Sequence, residues 1–167
     1  FAMQVLMYVL MCGYFREVPK LSILPEVLLI MLLSSLLSSL VNAIFVHFFQ
    51  SVDSLGKFAT IVGTASGFLV GTYVPLGVLP NIAQLLMKCT PATYIAALYR
   101  QVLMNETLSE TFKGQDDLRQ EFQEKMGVQL KWQELLTKEN TYFIVLGGIL
   151  LVGILWSVLV KKSSKKK

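Results

Sequence analysis

Few residues in this chain could do chemistry, and their spacing argues against catalysis. His47 is the only histidine, so a metal centre would have to rest on carboxylates. Glu26 and Asp53 stand at opposite ends of an apolar run, too far apart to share an ion whose ligands lie about 2 Å from it. Cys12 and Cys89 sit in or beside apolar segments with no CxxC or Cys/His spacing and read as small hydrophobes. Ser66 in "TASG" would need a neighbouring base to act as a nucleophile, and the glycine expected two residues before such a serine is Thr64. "LGKFAT" lacks the glycine spacing of a phosphate-binding loop and opens no strand-to-helix unit. These residues predict a chain that is not an enzyme, holds no metal and binds no cofactor of its own.

The remaining polar residues matter because of what surrounds them. Ser34, Ser38 and Asn42 share one i,i+4 row of an apolar helix, with Ser35 and Ser39 on the next row. Such a stripe either bonds to a neighbouring helix or lines a substrate path. Lys88 and Arg100 lie in an apolar stretch that Pro91 interrupts. Arg100 is the candidate functional charge, and its structural alternative is an ion pair with Glu106 or a bond to a nearby carbonyl.

The elements that must position these residues follow from composition. The chain of 167 residues is 54% hydrophobic and 16% charged, with a mean hydropathy of +0.58, outside the balance of a soluble domain of this length. A hydrocarbon core of about 30 Å needs roughly 20 apolar residues per helical span. Residues 24–50, 58–79 and 141–160 meet that need. Residues 1–15 read as a truncated span, which suggests the C-terminal part of a longer protein. Of the net charge of +4, the tail 161–167 supplies five lysines and no acid. It marks a cytoplasmic end that faces anionic lipid, and not a nucleic-acid binder.

Residues 16–23 then read as an external turn in which Ser22 can cap the next helix, and 51–57 as a cytoplasmic loop. In 58–79, Ala59, Gly63, Gly67 and Gly71 recur every four residues, a small-residue packing seam on which another helix can approach closely. Pro75, Gly77 and Pro80 should kink that helix near 71–75 and stop it by residue 79. Residues 80–104 hold two short apolar pieces divided at Pro91. They are either a re-entrant hairpin or one kinked span. Loop charges lean to the span, since the hairpin places Arg16 and Lys20 outside and only Lys57 inside. The cost of Lys88 and Arg100 at the bilayer centre, about 2.5 kcal/mol or more each, decides for a re-entrant helical hairpin over residues 80–104. Residues 105–140 form an external loop too short for its own core. There Leu118, Phe122 and Met126 form an apolar row, Asp117 with Gln120 can form a capping box, Gly127 can end a helix, and "VQLKWQELL" can add a strand or helical turn.

The stretch "SGFLVGTYVPLGVLPNIAQLLMKCTPATYIAALYRQVLM" resembles the membrane domain of ABC transporter type-2 permeases. The pair Leu79-Pro80 closes a Gly/Pro segment, Pro91 marks a hairpin turn, Arg100 falls late in the second arm, and the last span leads to a basic tail. The resemblance covers nearly the whole chain as the last four of six spans. It implies an all-α integral membrane protein, a polytopic helical bundle with a re-entrant helical hairpin and a small external loop domain. It further implies a multi-pass place in a cell membrane of bacterial plasma-membrane type, with a cytoplasmic C-terminus. Pro75, Gly77, Pro80 and Pro91 would then shape an outer gate. The partners implied are an ABC ATPase subunit carrying ATP and Mg, a second permease copy and membrane lipid. The cargo implied is drug-like, lipid-like or peptide. The alternative is an ATP-independent channel or carrier with a re-entrant pore loop.

Overall fold

The computed structural model describes residues 1–16, 20–49, 51–132 and 134–164, without the side chains of Ser163 and Ser164. Part of the 16–23 turn and Lys165, Lys166 and Lys167 of the tail lie outside the described residues. The described chain is helical and contains no β-strand. Its α-helices are α1 (Ala2–Phe15), α2 (Leu24–Phe48), α3 (Val52–Leu69), α4 (Asn81–Lys88), α5 (Pro91–Thr111), α6 (Asp116–Lys125) and α7 (Lys138–Ser164), with one 3₁₀ turn at Leu76–Val78. Two of these, α2 and residues Lys138–Lys162 of α7, are long and apolar enough to cross a membrane.

These two helices lie side by side and run the same way. At their starts, Lys138 pairs with Glu26 at 2.8 Å and the Tyr142 hydroxyl donates to the same carboxylate at 3.3 Å. Toward their ends, Leu40 lies beside Gly153, and the His47 ring meets Trp156 edge-on at 6.1 Å. Helix α5 runs antiparallel to α2, because Glu106 near its end pairs with Lys20 just before α2 begins.

The core occupies only one half of this bundle. Every buried residue of α2 lies between Val27 and Leu37, and the buried residues of α7 include Thr141 and Val145, near its start. Facing them, α5 buries Thr93, Tyr94, Ile95, Ala97, Leu98, Gln101 and Val102, a row that recurs at helical spacing. Ile30 and Leu98 are wholly enclosed. Beyond Leu37 no described residue of α2 is buried, and there Phe45 meets Phe58 of α3 with ring centroids 4.7 Å apart.

Helix α6 touches the 3₁₀ turn before α4 and the second half of α5, at positions that flank residues 80–104. Gly77 in the 3₁₀ turn lies against the Lys125 backbone, so that a Cβ at Gly77 would come within 2.8 Å of the Lys125 Cα. Arg119 donates to the Asn105 side chain at 3.1 Å. Six residues of helix, about 9 Å, separate Arg119 from Lys125.

Several sequence expectations need correction. The expected loop 51–57 is the first turns of α3. Ser51 caps it by accepting from the Ser54 amide at 3.2 Å, and Asp53 pairs with Lys57 at 2.8 Å. Instead of kinking near 71–75 and running on to residue 79, α3 stops at Leu69. Gly71 takes the left-handed conformation at φ 72°, the Thr72 amide donates back to Gly67 and the Gly71 amide to Phe68, each at 3.0 Å. This is a Schellman stop, so Pro75 falls outside any α-helix. At the other end of the segment, α5 passes residue 104 and continues to Thr111 because Leu108 is still buried at helical register.

Three local readings also change. Ser22 does not cap α2, whose N-cap position is Ile23. Asp117 forms no capping box, since α6 already starts at Asp116 behind Gln115. The described residues of the "VQLKWQELL" stretch lie in neither strand nor helix, and Lys131 and Leu135 form an isolated bridge. Gly127 ends α6 at φ 66°, with Val128 donating to Gln123 at 2.9 Å.

Candidate functional site

The last carbonyls of an α-helix have no partner within it, and α5 supplies partners at the ends of three helices. Arg100 Nη2 donates to the carbonyls of Val70 at 3.2 Å and Gly71 at 3.0 Å, where α3 stops. Its Nη1 donates to the Gly127 carbonyl at 3.3 Å, where α6 stops. The Thr93 hydroxyl stands between the carbonyls of Leu69 at 3.0 Å and Met87 at 2.7 Å and donates to one or the other. The Tyr94 hydroxyl donates to Lys88 at the end of α4, at 2.7 Å, and accepts from Trp132 Nε1 at 3.0 Å. Gln101 Nε2 donates to the Val128 carbonyl at 2.8 Å.

This arrangement suits a guanidinium for two reasons. Helix C-termini carry partial negative charge, which favours a cation there. A planar fork also reaches several acceptors at once, which a lysine ammonium does less well. Arg100 is half-buried and does not pair with Glu106, whose carboxylate is taken by Lys20. The site holds the ends of α3, α4 and α6 at fixed positions around α5.

The expected small-residue seam resolves into three different roles. Ala59 is exposed and a Cβ at Gly63 would meet nothing within 4 Å, so among the described residues no helix lies on them. Gly67 makes room for the ring of Tyr73 from its own chain. Gly71 belongs to the Arg100 cluster, where an added Cβ would lie 3.2 Å from Met87 Cε and 3.9 Å from Arg100 Nη2. Pro75 precedes the 3₁₀ turn, Pro80 precedes α4, and Pro91 opens α5, where a missing amide hydrogen costs nothing.

The serine row also divides. Ser34 is buried, accepts from Gln4 Nε2 of α1 at 2.9 Å and donates to the Met31 carbonyl at 2.9 Å. Ser38 and Asn42 are exposed, and Asn42 donates to the Ser38 carbonyl at 2.9 Å. Sequence reasoning missed Gln4, Thr93, Tyr94, Gln101 and Trp132. All but the Gln4 contact act on backbone carbonyls or on one another, which leaves no pattern of residue types to find. No family model, curated protein or solved structure matches the chain.

Proposed function

We propose that this chain is a membrane-spanning portion of an ABC type-2 exporter permease, in which residues 80–104 form the hairpin of an outer gate. The observation that carries this reading is the half-depth core. The buried residues of α2 facing α5 all lie in its first half, those of α7 include Thr141 and Val145 near its start, and α6 reaches both Gly77 and Asn105. A segment crossing a hydrocarbon core of about 30 Å would part its two ends by that distance, whereas about 9 Å of α6 bridges these. Broken backbone at such depth is tolerated where protein surrounds it, and the carbonyl contacts of α5 supply that surrounding.

In this reading α3 rises from the cytoplasmic side and ends at the Arg100 cluster. Movement of α3, driven by a separate ATPase subunit, would be passed to α5 and to the external cap. The open face of α3 around Ala59 and Gly63 would receive a second permease copy or the other helices of the assembly. Lys161 and Lys162 would lie at the cytoplasmic surface, and lipid would cover the exposed apolar face of α7, which includes Leu150, Leu151, Ile154 and Leu155.

Affinity purification of the full-length protein in mild detergent tests the proposal. An ATPase with a phosphate-binding loop should co-purify, and its turnover should depend on the permease. Solute flux by the purified protein alone, without such a partner, would support the channel or carrier instead.

A further inference from the structure

A groove of about 1040 Å³ opens between α1, α2 and α5. Met7, Met11, Met31 and Leu103 form much of its wall, and flexible, polarisable methionines adapt to ligands of varied shape. Tyr8 also lines it, and its hydroxyl is buried without a hydrogen-bond partner among the described residues. Among the described residues of its lining the charged ones are Lys20, Glu106 and Glu110, which gather at one end. Glu106 bonds Lys20 and, with Glu110 behind it, holds that ammonium above its ordinary value. Glu110 makes no ion pair among the described residues, so the described lining holds two acids and one base.

We propose that this groove binds a drug-sized amphiphile carrying one positive charge, with its apolar body along the methionines and its cationic group at Glu110. The volume lies just above the range of about 300–1,000 Å³ for small-molecule sites. The acids disfavour an anionic amphiphile and the phosphate of a phospholipid. That the bound molecule is exported rests on the permease reading; that it binds does not.

The test uses the full chain in phosphatidylcholine nanodiscs with no ATPase present and reads the fluorescence anisotropy of rhodamine 6G, a monocation, against empty discs. Saturable binding is expected. Glu110→Gln should weaken it about fivefold, the size expected for losing one exposed ion pair, and Met11→Trp should abolish it by filling the groove. In a Cys89→Ser background Cys12, which lines the groove, should react more slowly with a maleimide when the dye is present. Unchanged affinity in both groove variants would overturn the proposal, as would equal competition by dodecyl phosphate. Because no ATPase takes part, dye binding without ATPase co-purification would leave this site standing and remove only the exporter reading.

Discussion

The Gly71 carbonyl oxygen lies 3.0 Å from Arg100 Nη2, and the same nitrogen reaches Val70 at 3.2 Å. One side chain of α5 thus closes the end of α3 while its other nitrogen holds the end of α6 through Gly127. Removing it leaves three carbonyls without their charged donor. Hydrogen bonds to charged groups contribute about 1.5–3 kcal/mol each, and context makes them less than additive. Arg100→Met is therefore expected to destabilise the purified protein by about 3 kcal/mol or more. Thermal unfolding followed by intrinsic fluorescence measures this. Arg100→Lys should recover part of the loss, because an ammonium cannot present the same fork.

The two ends of the glycine row should respond differently. Gly71→Ala forces a Cβ into the left-handed region beside Met87 and should lower stability by at least about 1 kcal/mol. Gly63→Ala meets open space and should leave the isolated chain unchanged or slightly more stable, since alanine favours helix by about 1 kcal/mol over glycine. Gly63→Leu should leave the chain folded yet weaken its association with a second copy, read by crosslinking in membranes. Crosslinking unchanged by Gly63→Leu would exclude that face from the interface.

The Lys20–Glu106 contact offers a contrast with Arg100. Both side chains are more than half exposed, and an ion pair of this kind contributes about 0–1 kcal/mol. Lys20→Ala should therefore barely move the unfolding temperature. A loss as large as that of Arg100→Met would contradict the exposed character of this pair.

On α6, Lys125 pairs with Glu121 at 2.7 Å. The bond holds the Glu121 carboxyl below its usual 4.5 and the Lys125 ammonium above its usual 10.5. A depressed acid stabilises the folded state above its unfolded value and loses that contribution as pH falls through the folded value. A raised base contributes below its unfolded value and loses it as pH rises through the folded one. Hydrogen-exchange protection of α6 should thus receive this pair's full support between about pH 5 and 10, with small losses outside that window. Glu121→Gln should remove the acid limb of this dependence.

How much could be read in advance differs by element. Continuous apolar runs of more than 18 residues disclosed α2 and α7 as helices long enough to cross a membrane. The end of α3 stayed hidden, since apolar residues continue past Leu69 while Gly71 decides the stop through its backbone angle; the two prolines drew attention away from it. The extent of α5 was masked by Asn105, Glu106 and Glu110, polar residues on a helix that keeps Leu108 inward. Arg100 could be singled out as a charge in apolar surroundings. Its partners are backbone carbonyls from residues 30, 29 and 27 positions away in sequence, and residue identity carries no mark of such contacts.

The most direct measurement concerns the two ends of the segment that α6 bridges. In a background with Cys12 and Cys89 replaced by serine, single cysteines at Asn81, Asn105 and Lys57 are treated on intact cells with a membrane-impermeant thiol reagent. The account predicts that Asn81→Cys and Asn105→Cys both react from outside, and that Lys57→Cys reacts only after permeabilisation. Reaction of Asn81→Cys and Asn105→Cys from opposite sides would contradict the folded-back hairpin.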